Sequence, residues 1–340
     1  MTQGNPIRFG IVGCGVVAPL HADAIRHVPG AELVAVADVD ETRAKKFASN
    51  WEVPHVYTDY REMLRQDFVD VVCVCTPSGL HGDVVLTAAA NQKHVLCEKP
   101  LEIRAEKMTE MIDACRTAGV KLGAVYQRRA SPLNQRINAV IREGRLGKLV
   151  LCDAYLKYHR SQEYYDTAGW RGTWAVDGGG ALMNQGVHGV DMIQWLGGGV
   201  ERVYARTAAL VRKIEVEDTA VAVVQFKSGA FGVIEAATSL YPEHRTRFEL
   251  HGDKGTISFD DSGLIEWNIM HDEQGTPEPD AIELDVRSPG HYVFVRDMAQ
   301  AVVDNRCPMV PGEEARKAVD IILGIYESAR TGREVVLQTK

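Results

Sequence analysis

A lysine set between a glutamate and a proline, Glu98-Lys99-Pro100, closes the apolar run His94-Val95-Leu96-Cys97. A lysine at the carboxyl end of a buried strand can point into the crevice where open α/β sheets bind ligands. There it can orient a reacting hydroxyl and tune its proton. Further along, Asn184, His188 and Asp191 fall at i, i+4 and i+7, which is one face of a helix. An imidazole between two polar neighbours suits proton transfer near neutral pH. A third constellation, Gly13-Cys14-Gly15-Val16-Val17-Ala18, reads as G-x-G-x-x-A directly after a short apolar strand. The first glycine allows a tight turn, the second lets a pyrophosphate approach the backbone, and the small third residue lets helix pack on strand. Val16 and Val17 lead into a helix whose first amides would face the phosphates. Asp38 ends the next apolar strand, 23 residues after Gly15. That spacing suits a carboxylate on the adenosine ribose diol, which repels a 2′-phosphate and favours NAD over NADP. Asp38 could instead cap the following helix.

These groups need a scaffold that presents strand ends to one crevice. Apolar strands are expected over residues 7–12, 33–38, 68–75, 94–97 and 122–126, with helices between them, including 19–27, 82–90 and 102–118. Strand and helix in alternation predict a doubly wound parallel sheet. The loop Thr76-Pro77-Ser78-Gly79-Leu80-His81 would lie over the cofactor. His81 could contact ribose or diphosphate, or cap the helix that follows. The last strand runs into Tyr126-Gln127-Arg128, residues placed to edge the nicotinamide side. The pattern then changes, and the expected division is a dinucleotide-binding domain over 1–127 and a substrate and oligomerisation α+β domain over 128–340. A half-exposed strand is expected over 149–159 and antiparallel strands over 200–211, 218–226, 231–239, 245–251, 255–260 and 264–269, forming a large open, mostly antiparallel sheet. A proline-rich loop over 274–280 and helices over 291–304 and 313–330 complete the chain. Following the strand at 149–159 is a polar aromatic stretch with Tyr158, His159, Arg160, Tyr164, Tyr165, Trp170, Arg171 and Trp174. Such rings and guanidinium groups suit a sugar ring or a carboxylated ligand.

Composition narrows the class. A chain of 340 residues with 45% hydrophobic and 25% charged side chains is an ordinary globular protein of two domains. A net charge of -8 argues against a general nucleic-acid binder. No apolar run reaches the length of a membrane span, and from the short polar N-terminus no secretory signal is expected. The seven cysteines are odd in number, scattered and mostly in apolar segments, as expected of reduced thiols in a cytoplasmic protein. Cys73 and Cys75 have no second pair to complete a zinc pattern, so no metal is expected.

Taken in order, Gly13-x-Gly15-x-x-Ala18, Thr76-Pro77-Ser78 with His81, Glu98-Lys99-Pro100, and Gly178-Gly179-Gly180 through His188 to Asp191 resemble the Gfo/Idh/MocA oxidoreductases over essentially the whole chain. The resemblance implies a Rossmann domain followed by a mixed α/β domain with an open sheet. It implies tightly held NAD(H) or NADP(H), and hydride transfer at a secondary alcohol of a sugar, sugar derivative or cyclitol. It suggests a cis Lys99–Pro100 bond and places Glu98 and Lys99 beside the cofactor. It assigns Lys99 and His188 to the reacting carbon. The one free face of the large antiparallel sheet leads to the expectation of a homodimer or homotetramer through it. Many members carry aspartate where this chain has Asn184, and an amide holds a hydroxyl but relays no proton. Trp170-Arg171-Gly172-Thr173-Trp174 and Met183-Asn184-Gln185-Gly186 look like a subgroup acting on glycosides or nucleotide-activated sugars, often at C3. Two other outcomes stay open: glycoside cleavage through transient oxidation with NAD recycled, and a regulator that binds the dinucleotide without chemistry.

Overall fold

The structure, a computed structural model, describes residues 6–271, 275 and 287–337. The chain divides into two units, Met1–Gln127 with Ile282–Arg316, and Arg128–Ala281 with Lys317–Lys340. The continuous second domain expected over 128–340 therefore does not hold, because the segment from Ile282 to Arg316 joins the first unit. The loop expected over 274–280 lies, apart from Gly275, outside the described residues.

The first unit carries β1 (Ile7–Val12), α1 (Ala18–His27), β2 (Ala31–Ala37), α2 (Glu41–Trp51), β3 (His55–Tyr57), α3 (Tyr60–Leu64), β4 (Val71–Val74), α4 (His81–Ala90), β5 (His94–Cys97), α5 (Ala105–Ala118) and β6 (Leu122–Ala124). Its six strands run in the order β3-β2-β1-β4-β5-β6, all parallel. The order reverses between β1 and β4, and ligands bind at the carboxyl ends of strands at such a switch point. β4 is buried along its whole length, as a parallel strand covered on both faces must be.

The second unit carries α6 (Pro132–Arg142), β7 (Leu149–Lys157), α7 (Gln162–Asp166), a π-helical turn (Ala181–Gly186), α8 (Val187–Leu196), β8 (Val200–Ala208), β9 (Thr219–Phe226), β10 (Phe231–Ala237), β11 (Arg247–Gly252), β12 (Gly255–Asp260) and β13 (Gly263–Ile269). After these the chain forms α9 (Pro289–Val303) within the first unit, α10 (Gly312–Thr331) and β14 (Val335–Val336). The sheet order is β13-β12-β11-β7-β10-β9-β8-β14, antiparallel except where β10 pairs with β7. Along these strands Cys152, Ala154, Leu156, Ala222, Val224, Ile234 and Leu250 are buried, while Leu151, Tyr204, Val221, Val223 and Phe231 are exposed. One face packs on the core of the unit, where α8 lies on β7, and the other is open. β8 stops at Ala208, short of the expected residue 211. The Asp218 carboxylate takes the amides of Leu210, Val211 and Arg212, which removes them from the ladder.

Candidate functional site

In the first unit, β1 delivers Gly13 in a left-handed conformation with φ 92°. A side chain there would also meet the Cys75 carbonyl oxygen at 2.7 Å, so glycine is required twice over. A Cβ on Gly15 would enter open space, and Val16 beside it is 89% exposed. The N-cap position of α1, Val17, makes no side-chain capping bond. Backbone amides opening onto an accessible glycine turn are what a pyrophosphate needs. Asp38 braces this turn: its Oδ2 accepts the Cys14 amide at 2.8 Å and its Oδ1 the Asp40 amide at 2.9 Å. The cap of α2 is Asp40, not Asp38. Arg43 also reaches the Asp38 carboxylate, at 3.3 Å. Thr76 Oγ1 and Gln127 Oε1 are buried without a hydrogen-bond partner among the described residues. Buried polar atoms are normally paired, and a dinucleotide held by Gly13, Gly15, Thr76, Pro77 and Gln127 fits this set.

His81 follows neither of its sequence readings. It is buried, with Nδ1 at 2.8 Å from the Pro100 carbonyl and Nε2 at 2.9 Å from the Thr76 carbonyl. α4 has no side-chain cap. The ring ties the Thr76 loop to the Lys99–Pro100 loop, and both nitrogens are committed to the protein rather than to ribose or phosphate. Glu98 is likewise turned inward. Its Oε1 accepts from His21 Nε2 at 2.8 Å and His291 Nε2 at 3.1 Å, and its Oε2 accepts the Lys99 amide at 3.2 Å. Burial by itself would raise this carboxyl. The two imidazole hydrogen bonds outweigh it and hold Glu98 well below the usual carboxylate range. Burial lowers His21, consistent with a neutral ring that donates one N–H. Glu98 therefore anchors the backbone that carries Lys99, which is half-buried and precedes a cis peptide bond. Tyr126 is fully buried, with its hydroxyl donating to the Ala315 carbonyl at 3.2 Å. It belongs to the core of this unit and does not edge an open crevice.

In the second unit the glycine run is held by Glu217. Its carboxylate accepts the amides of Gly180 and Leu182 at 3.0 and 2.9 Å and the Tyr326 hydroxyl at 2.9 Å. A Cβ on Gly180 would overlap the Glu217 carbonyl oxygen. The π turn follows, then His188, half-buried in the first turn of α8. The single polar stripe expected from α-helical spacing breaks up here, because a π turn shifts the register of the residues before it. Asn184 Nδ2 donates to Asp177 Oδ1 at 2.7 Å. Asp191 has no exposed surface and is gripped at both oxygens by Arg129, at 2.8 and 2.6 Å. Arg171 stacks 4.3 Å over the Tyr164 ring and 5.6 Å from Trp170. Tyr164 accepts from Gln185 Nε2, and Gln185 accepts from Arg160, so the aromatic stretch and the π turn are joined. Arg128 and Tyr158 form a separate group through Thr246, with Arg128 also paired to Asp261.

Residues 7–126 match the NAD-binding Rossmann fold of the oxidoreductase family, and residues 134–258 match the GFO/IDH/MocA C-terminal domain. The solved structure of the WlbA dehydrogenase from Bordetella pertussis, in complex with NADH and UDP-GlcNAcA, superposes with a TM-score of 0.90. It is 34% identical and covers 99% of this chain and 100% of that one. This chain belongs to the Gfo/Idh/MocA oxidoreductases. Other Gfo/Idh/MocA relatives are similar over nearly their full length. The myo-inositol 2-dehydrogenase of Thermotoga maritima is 28% identical over 98% of this chain and 99% of its own. The D-xylose 1-dehydrogenase (NADP(+)) 2 of Haloferax volcanii is 29% identical over 97% and 98%. No helix among the described residues is long and apolar enough to cross a membrane.

Three groups of this Gfo/Idh/MocA chain are not visible as a site in the sequence: the His21–Glu98–His291 cluster, Glu217 and Asp177. Asp177 stands directly before the three glycines, a position whose burial to 1% exposure is the missing signal. Burial raises the Glu217 carboxyl from 4.5 to about 7, against the pull of the Leu182 amide and the Tyr326 hydroxyl. The folded state thus holds a proton that the unfolded chain releases. This contribution to stability is complete below 4.5 and is lost as pH rises through about 7. Glu217→Gln is expected to flatten that slope. Melting temperatures at pH ~5 and ~8 would differ less in the variant than in the parent, and an unchanged difference would refute the assignment.

Proposed function

We propose that this protein uses NAD to oxidise a secondary hydroxyl, the C3 hydroxyl, of a nucleotide-activated sugar. The observation that carries this reading is the joined group Arg171–Tyr164–Gln185–Arg160 beside Asn184. Cationic and aromatic side chains next to the polar residues of the π turn suit an anionic sugar better than a neutral cyclitol. The likeness to a dehydrogenase solved with UDP-GlcNAcA supports the same choice. Each turnover removes two electrons and two protons from the carbinol: the C–H leaves as hydride, the O–H as a proton, and a ketone remains. Bound nicotinamide supplies the hydride acceptor. His188 takes the hydroxyl proton as general base. Lys99 hydrogen-bonds a substrate oxygen and steadies developing charge there, while Asn184 holds a hydroxyl. Trp170 and Arg171 line the substrate side of the second unit. Asp38 binds the adenosine ribose and repels a 2′-phosphate, which supports NAD over NADP.

The test is NADH formation with NAD and NADP run in parallel against free sugars, inositols, glycosides and UDP-sugars, UDP-GlcNAcA among them. Turnover with UDP-sugars and NAD is expected. Turnover with free inositols alone would overturn the substrate reading, and preference for NADP would overturn the role of Asp38. The exposed face bearing Tyr204, Val221, Val223 and Phe231 supports a homo-oligomer through the open sheet. A monomeric mass in sedimentation equilibrium would refute it.

A further inference from the structure

Four side chains of the second unit form one continuous chain of hydrogen bonds. Arg160 Nη2 donates to Gln185 Oε1 at 2.8 Å. Gln185 Nε2 reaches Asn184 Oδ1 at 3.4 Å, and Asn184 Nδ2 reaches Asp177 Oδ1 at 2.7 Å. The ends decide the direction of everything between them. A guanidinium only donates, and the Asp177 carboxyl oxygens accept from the Gly172 amide and Asn184 Nδ2, so both amides lie head to tail. Amide orientation is ordinarily ambiguous, but here a donor-only end and an accepting end remove the ambiguity. Asp177 is itself fixed, because its second oxygen accepts the Gly172 amide at 2.9 Å and the residue is 1% exposed.

We propose that Asp177 is a positioning residue that poles the Asn184 amide, turning its nitrogen inward so that its carbonyl oxygen accepts a hydroxyl of the substrate. Asn184 is half-buried, whereas Asp177 is buried. Hydroxyl orientation at this position is then set by a residue that does not touch the substrate. The inference rests on the reading of the site as one that binds a polyhydroxylated sugar.

Asp177→Asn tests this sharply. The Gly172 amide keeps the oxygen of the new side chain, so its nitrogen faces Asn184 and forces that amide to flip, presenting a donor where an acceptor stood. Loss of one such hydrogen bond predicts a fall in kcat/KM of about 10- to 100-fold with the UDP-sugar that the parent turns over. NADH binding, read by fluorescence, stays unchanged. The double variant Asp177→Asn/Asn184→Asp restores an acceptor in the original place, because the amide introduced at position 177 donates to the carboxylate introduced at position 184. It should recover at least about tenfold over Asp177→Asn. A parent-like kcat/KM in Asp177→Asn, or no recovery in the double variant, would overturn the proposal. If Asp177→Asn does not fold, Asn184→Asp alone is compared with the double variant: higher activity in the double variant supports the pairing, equal or lower activity with NADH still bound overturns it. A substrate-free arm separates this from the functional reading. In melting curves of the NADH-bound proteins, the double variant regains stability lost by each single change. Additive losses overturn the pairing whatever the substrate, whereas silence of the parent on the whole panel refutes the functional reading and leaves the melting arm to judge the pair.

Discussion

His188→Ala is expected to lower kcat by about 10²–10⁴, the range for a positioned general base, with NADH affinity preserved. The asymmetry follows from where the residues lie. His188 stands at the start of α8 in the second unit, whereas the Gly13–Ala18 turn, Asp38, Thr76 and Gln127 all belong to the first. Its neighbours Val187 and Val190 are fully buried and anchor α8 without it, so truncation of the imidazole should leave the helix in place. Steady-state rates with the substrate that the parent turns over, beside NADH titration by fluorescence quenching, read the two effects separately. Turnover at the parent rate would remove His188 from the chemistry. Loss of NADH binding in step with kcat would point to a general structural defect.

The second large effect is on stability. Asp191→Ala leaves the Arg129 guanidinium, 3% exposed, without its bidentate partner. Stripping one member from a buried ion pair costs about 3–5 kcal/mol, because the remaining charge stays desolvated. Stacking of Arg129 at 5.2 Å over Trp195 offsets only part of that, since a cation–π contact contributes about 0.5–2 kcal/mol. Urea denaturation should show the loss. The double replacement Arg129→Met/Asp191→Leu, which removes both charges and keeps the volume, should cost far less. A single variant within about 1 kcal/mol of the parent would show that the pair contributes little, as exposed pairs do.

What is legible in the sequence is chemistry carried by local pattern. The glycine turn, the carboxylate at the end of β2 and the loop after β5 are each read within a few residues, and strand alternation predicts the parallel sheet. The failures share a physical cause, which is partners distant in sequence. Asp191 looks like a member of a polar stripe until Arg129 arrives from the turn before α6, 62 residues away. Tyr126 follows a strand end, where a side chain can point either way, and only the Ala315 carbonyl decides it. His81 stands between two roles in the sequence because the Pro100 carbonyl that claims its Nδ1 lies on a separate loop. The π turn defeats an assumption of 3.6 residues per turn, and with it the alignment of Asn184 with His188. No periodicity marks such a turn in advance; the Glu217 carboxylate, which takes two amides at its start, arrives from 37 and 35 residues away.

The return of α9 to the first unit has a consequence for how the protein is made. Glu98 waits for His291, which is 193 residues further along the chain, and Asp23 waits for the Arg287 amide, 264 residues further along. Val295 and Met298, fully buried in α9, are part of the same closure. At about 5–20 residues per second a ribosome takes about 10–40 s to supply the missing imidazole. During that interval the nascent sheet has all six strands but an uncovered flank and a half-paired buried carboxylate. Vectorial folding, in which an N-terminal module finishes before its successor is synthesised, is therefore closed to the first unit, whose last helix emerges only after residues 128–281 have been made.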